Sequence, residues 1–108
     1  MIREGYIERS IRKLRQVFAA LLGKVDKEES PELLDARLDD LYREHLGIGR
    51  QILAALDEAS QLRLLRERPY IAAELLRGER DLLTAAGRDA EAADAQARLA
   101  QVESKASA

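Results

Sequence analysis

Apolar side chains recur along the chain at spacings of three and four residues, the period that places them on one face of an α-helix. The first stripe of this kind predicts a helix from about Ile2 to Leu22. Gly23 follows directly, and we expect this glycine to end the helix in a left-handed turn. The opposite face carries mostly arginine and lysine, so the segment is a basic amphipathic helix.

The middle of the chain carries a second apolar stripe with helix signals at both ends. Ser30 suits the N-cap position, Pro31 the first helical position, and Gly47 the end of the helix. From residue 48 to 68 the apolar spacing is less regular, which predicts two short helices or one bent helix, with Ser60 as a candidate cap. This region therefore adds one long helix and one or two short ones.

The last third of the chain predicts two helices joined at a glycine. Pro69 opens the first, which ends at Gly87, and Gly78 within it either weakens the helix or lets another backbone approach. The second covers about residues 89–104 and is rich in alanine, whose small side chain permits close helix packing. We expect residues 105–108 to form a frayed tail.

Together these stripes predict an all-α protein, an antiparallel bundle of four main helices, or five when the short ones are counted. The 108 residues fit a single domain, which we place at residues 1–104. Leucine and alanine, both strong helix formers, supply most of the apolar side chains. Both prolines stand at predicted helix starts, which agrees with this fold class.

Composition narrows the classes of function. The chain contains no cysteine, so a disulfide framework, a thiolate metal site and a cysteine nucleophile are all excluded. No stretch approaches the roughly 18 apolar residues that a membrane-spanning helix needs. We therefore expect a cytoplasmic protein that is neither secreted nor embedded in a membrane.

The net charge of −2 conceals two blocks of opposite sign. Residues 1–24 carry six bases and two acids, whereas residues 25–47 carry three bases and eight acids. If the two blocks form an antiparallel helix pair, each neutralises the other, which makes nucleic acid an unfavoured partner. The sequence leaves open whether the basic helix packs on the acidic one or serves for binding.

Two resemblances extend this picture. Residues 70–102, with Leu83, Gly87 and Ala92 at the matching offsets, resemble the helical hairpin of a tetratricopeptide repeat. The segments GYIERSI at 5–11, FAALLG at 18–23 and LYREHLG at 41–47, taken with that hairpin, resemble a bacterial family of small helical proteins with tetratricopeptide-like ends. That family implies a helical fold and has no established activity, so the resemblance implies no catalytic motif.

The sequence contains few residues that could support catalysis or bind a metal. His45 is the single histidine and lacks a second one to complete a ligand set, so we interpret it as a structural residue. Acids at positions 35, 39, 40 and 44 fit a solvated or salt-bridged helix face better than a cation site. Gly47-Ile48-Gly49 lacks the features of a phosphate loop. We expect no enzymatic activity, cofactor or metal.

The sequence therefore favours a binding function, and it is compatible with two kinds of binding partner. The first is another protein or a second copy of the chain, as in a dimer for example, bound by the helical domain through aromatic anchors. The second is an anionic surface, a membrane or, less favoured, nucleic acid, bound peripherally through the basic first helix. The candidate anchors are Tyr6, Phe18, Tyr42 and Tyr70, and the candidate anionic-surface contacts are Arg9, Arg12, Lys13 and Arg15.

Overall fold

The computed structural model describes residues 2–25 and 30–107, and this part of the chain is all-helical, with short turns between the helices. It contains six helices, one more than the largest number expected, because the region from 48 to 68 forms two short helices. The helices are α1 (Ile2–Leu22), α2 (Pro31–Leu46), α3 (Arg50–Ala55), α4 (Glu58–Glu67), α5 (Pro69–Ala85) and α6 (Asp89–Ser107).

Helix α5 occupies the centre of the fold. Residues 71–76 are buried without interruption, so this helix is covered on every side over nearly two turns. Helices α1, α2, α4 and α6 all pack against it. The core is built mostly from leucine and alanine side chains, as the composition predicts.

Helices α5 and α6 form an antiparallel hairpin. Arg77 donates to Glu103 at 2.5 Å and Arg80 donates to Gln96 at 2.7 Å, so positions that advance along α5 recede along α6. Gly87 joins the helices in a left-handed conformation with φ of 81°. The following amide of Arg88 donates back to the carbonyl of Leu83 at 2.8 Å, completing a Schellman turn.

Helix α1 runs in the same direction as α5, which corrects the prediction that all helices pack antiparallel. Arg15 pairs with Glu74 at 3.2 Å, and one turn further along both helices Phe18 lies against Gly78. The basic helix therefore rests chiefly on α5 and not on the acidic helix α2. The sequence left open whether the basic helix packs on the acidic one, and in the structure the two blocks are joined by the Lys13–Glu44 ion pair while α1 packs on α5.

Helix ends follow the predictions with three local differences. Gly23 does follow the end of α1, but its φ is not positive, and the left-handed turn expected there is absent. Ser30 occupies the N-cap position of α2, yet its hydroxyl donates to the Glu32 carboxylate and does not cap the backbone. Asp57, not Ser60, caps α4, since its carboxylate accepts from the Ser60 amide at 3.1 Å.

The C-terminal end of the described chain also differs from expectation. Helix α6 continues through Ser107, so the frayed tail expected at 105–108 is helical over its first three positions. Residue 108 lies outside the described residues. Among the helices described, none combines the length and the apolar character needed to cross a membrane.

Candidate interaction groove

The candidate site begins with a break between α4 and α5. Pro69 has no amide hydrogen and disfavours helical geometry in the residue before it. Arg68 accordingly adopts φ of −134° and ψ of 69°, and the chain changes direction there. This change of direction separates the end of α4 from the start of α5 and opens a surface beside the first turns of α1.

A groove of about 670 Å³ lies at this break. Its exposed apolar side chains are Ile7 and two tyrosines, Tyr6 with 58% of its surface exposed and Tyr70 with 65%. Three of the six large apolar side chains that are exposed in the described residues thus share one surface. The lining residues are Tyr6, Ile7, Arg9, Glu67, Arg68, Pro69, Tyr70 and Ile71.

Charged side chains stand at the rim of the apolar surface. Arg9 donates to the carbonyl of Gly5 at 3.1 Å, and Arg68 donates to the carbonyl of His45 at 2.9 Å. Glu67 is the one acid among the lining residues. Two arginines and one glutamate thus line the groove, and the positive end of the α5 dipole at Pro69 adjoins the negative end of the α4 dipole at Glu67. The local charge is therefore positive.

The four predicted anchors divide into two pairs. Tyr6 and Tyr70 lie together in the groove. Phe18 and Tyr42 are 5% and 1% exposed, so they are core residues and cannot reach a partner on the folded surface. Their assignment as anchors is corrected, because both belong to apolar stripes that α5 covers.

The four predicted anionic-surface residues also have different surroundings. Lys13 pairs with Glu44 of α2 at 3.6 Å, and Arg15 pairs with Glu74 of α5 at 3.2 Å. Arg9 stands at the groove rim, and Arg12 is exposed one turn further along α1. Two of the four cations are thus partly neutralised within the fold.

A polar network that sequence reasoning missed joins α2, α3 and α5. The hydroxyl of Tyr42 donates to Glu79 Oε1 at 2.5 Å, and Arg50 Nε donates to Glu79 Oε2 at 2.6 Å. Glu79 is buried, so both of its oxygens receive donors where water is excluded. Burial, with the negative charge of Glu79, raises the pKa of Tyr42 well above its ordinary value. The phenol therefore stays protonated and serves as a donor.

The network continues into the turn before α6. Arg88 pairs with Asp35 of α2 at 2.8 Å. It also donates two hydrogen bonds, of 2.9 and 2.7 Å, to the Glu91 carboxylate. Asp35 also lies 3.4 Å from Arg50, so one acid on α2 links both arginines. The hydrogen bonds from Arg88 lower the pKa of Glu91. Since Asp35 and Glu91 both pair with Arg88, this arrangement holds α2 against the start of α6.

His45 is buried near the end of α2, and its Nε2 has no hydrogen-bond partner among the described residues. Burial lowers the pKa of His45, while Glu44 Oε2, 3.7 Å away, opposes this shift. The imidazole is therefore neutral at pH 7. Over the described part of the chain, no three acidic or histidine side chains gather in a way that could hold a metal ion.

The acidic group on α2 makes separate ion pairs. Asp39 pairs with Arg43 at 2.8 Å and also accepts from the amide of Gln51 at 3.3 Å, at the start of α3. Asp35 belongs to the arginine network described above. This agrees with the interpretation of a salt-bridged helix face.

No protein-family model, curated protein or solved structure matches this chain. The sequence signal that could have located the groove is the Pro69-Tyr70 pair, an aromatic residue at a forced helix break. Its closeness to Tyr6 depends on how α1 packs on α5, which local patterns do not encode.

Proposed function

We propose that this protein is a non-enzymatic helical interaction domain that binds an apolar segment of another protein in the groove between α1 and α5. One observation carries the proposal. Tyr70 is distant in the sequence from Tyr6 and Ile7, yet the three share one open surface with arginines at its rim. Aromatic residues and arginine are the types enriched at the centres of protein interfaces.

The dimensions of the groove support a protein segment as its occupant. Its volume falls in the range of ligand pockets, but both tyrosines keep more than half of their surface exposed. A small molecule lying there would stay largely in contact with water. A helix is larger and could cover both rings at once, which would remove their apolar surface from water.

The α5–α6 hairpin supports the same class of function. Ala92 and Ala95 are buried on the inner face of α6, where small side chains allow close packing against a neighbouring helix. Such a hairpin is compatible with the predicted likeness to a tetratricopeptide repeat. That likeness, the bacterial family resemblance and the cytoplasmic location all remain predictions.

Capture of partners by matched variants tests the proposal. We would immobilise the protein, the Tyr6→Ser/Tyr70→Ser double variant and Ile52→Ser, and compare the proteins that each retains from a bacterial lysate. Ile52 is 59% exposed on α3 and lies outside the groove, so its variant controls for the loss of an exposed apolar side chain.

We expect a partner protein that the parent and Ile52→Ser retain and that the double variant does not retain. Unchanged stability of all three, measured by urea unfolding, would show that the fold is intact. Equal retention by all three variants, or no specific retention at all, would overturn the proposal. Binding of the parent to anionic vesicles but to no protein would favour the alternative, peripheral membrane binding through Arg9 and Arg12.

A further inference from the structure

We propose that the groove binds an amphipathic helix bearing acidic side chains, which belongs to a protein other than a second copy of this chain. This inference rests on the proposed function and specifies the chemistry of the partner. It follows from the charge at the groove and from the secondary structure available for pairing.

Charge complementarity indicates an acidic partner. Arg9 and Arg68 stand at the rim against one acid, Glu67, and Arg12 extends the basic side along the exposed surface of α1. Carboxylates placed beside the apolar residues of a partner would meet all of these groups.

The same features disfavour a second copy in this groove. A twofold dimer brings a surface against itself, so the basic rim of one subunit would face the basic rim of the other. Like charges placed opposite each other across an interface are unfavourable. The groove is thus better suited to a surface of opposite charge than to its own copy.

The secondary structure favours a helix as the bound form. The described part of the chain contains no strand, so no sheet edge is available to pair with an extended peptide. The apolar side chains lie between two helices, where a third helix can seat its own side chains. From Tyr6 to Arg12, α1 advances about 9 Å at 1.5 Å per residue, so two turns of partner helix cover this length.

Two synthetic peptides of equal apolar content test the inference. Each has about 18 residues, with leucine at positions i, i+3, i+4 and i+7 and alanine or glutamine elsewhere, except that four exposed positions carry glutamate in one peptide and lysine in the other. Fluorescence anisotropy would give the Kd of each for the full-length protein. We expect the acidic peptide to bind at least about tenfold more tightly, a difference of about 1.4 kcal/mol.

Charge reversal provides the second arm. The Arg9→Glu/Arg12→Glu variant should abolish or invert the preference, whereas Arg37→Glu should retain it. Arg37 is exposed on α2 and lines a separate pocket near the C-terminal end of α1, so each substitution changes the net charge by the same amount without altering the groove. Raising the salt from 0.05 to about 0.5 M should weaken binding of the acidic peptide most, because it shortens the Debye length.

The outcomes separate this inference from the proposed function. Equal binding of both peptides, lost in Tyr6→Ser/Tyr70→Ser, would overturn the acidic preference and leave the interaction groove standing. Binding of neither peptide would overturn both. A molar mass that rises with concentration in the parent, and not in the tyrosine variant, would show that the occupant is a second copy and would also overturn the inference.

Discussion

Phe18 of α1 lies directly over Gly78 of α5, so that a methyl group added at Gly78 would overlap the phenyl ring. The ring is buried and cannot swing into solvent. Gly78 thus leaves the space that Phe18, the larger of the two buried apolar side chains of α1, fills. This contact, with the Arg15–Glu74 ion pair one turn earlier, fixes the position of α1 and therefore of Tyr6 at the groove.

The substitution Gly78→Ala should destabilise the protein. Overpacking of this kind costs about 1–3 kcal/mol, which exceeds the gain of up to about 1 kcal/mol from replacing glycine within a helix. Urea unfolding followed by circular dichroism would measure the difference. Gly5→Ala is the matched control, since nothing lies within 4 Å of its added methyl group, and it should be neutral or stabilising.

Pairing Gly78→Ala with Phe18→Leu sharpens this prediction. The smaller side chain should relieve part of the overlap, so the double variant should be more stable than the sum of the single effects implies. Additive losses would contradict the proposed contact between the two helices.

Removal of Arg50 should destabilise the protein strongly. Arg50→Met would leave the buried Glu79 carboxylate without its cation, a change that costs about 3–5 kcal/mol when a buried pair is broken from one side. Adding Glu79→Gln to that variant should recover part of the loss, because the uncompensated charge disappears.

The exposed pair Lys13–Glu44 is the comparison for this prediction. Lys13→Met should cost less than about 1 kcal/mol, as is usual for ion pairs at the surface. Similar losses for Arg50→Met and Lys13→Met in urea titrations would mean that Glu79 is not buried with its charge.

The pH dependence of stability should report His45. Because burial lowers its pKa below the ordinary value of 6.5, the folded state binds a proton less readily than the unfolded state. The contribution of His45 to stability is therefore fully present above about pH 6.5 and is lost as the pH falls through the lowered folded pKa. The urea midpoint should decrease as the pH is lowered through this window, and less so in His45→Gln.

Two charged neighbours of His45 allow further tests of its effect on the pH dependence of stability. The Glu44 carboxylate opposes the lowered pKa, so Glu44→Gln should steepen the loss at acidic pH. Lys13 acts in the other direction, and Lys13→Met should make the loss shallower. An unchanged pH profile in His45→Gln would show that the imidazole does not control stability in this window.

The turn of the α5–α6 hairpin should depend on its glycine. Gly87 has φ of 81°, a conformation that costs alanine about 1–2 kcal/mol. Gly87→Ala should therefore lower the free energy of unfolding by about that amount, and Gly87→Asn by less, because asparagine tolerates this conformation better. Equal stability of the alanine variant and the parent in urea would contradict the turn geometry.

Local sequence signals predicted the helices well because the signals and the structures they determine are close together in the chain. Pro31 and Pro69 begin helices as expected, and Gly47 and Gly87 end them in the left-handed conformation. Gly23 carries the same signal at the end of α1 without adopting that conformation. A terminal glycine therefore predicts where a helix ends more securely than how it ends.

The packing of the helices could not be predicted in the same way. Opposite charge blocks suggested that α1 pairs with α2, but the fit of Phe18 onto Gly78 places α1 on α5. Gly78 was a usable signal, since a glycine inside a helix indicates close approach. The sequence identifies neither the helix that approaches nor whether a side chain or the backbone makes the contact.

In the candidate site, too, local sequence patterns predict some features, while others depend on how the helices pack. Tyr42 and Tyr70 are the same residue type, yet one is buried on α2 and the other is exposed at the helix break. Only the apolar stripe of α2 distinguished Tyr42 in advance, and that stripe also supports a core role. The Arg50–Glu79 pair joins residues from separate helices and left no local pattern to find.

The position of α1 on α5 has a consequence for how the protein assembles during synthesis. Helix α1 precedes α5 in the chain, so during synthesis its apolar face cannot be covered by α5 until α5 has been made. Until α5 has been made, the nascent chain exposes the apolar side chains of Leu14 and Phe18 next to the basic residues of α1. We therefore expect α1 to dock only after α5 has been synthesised.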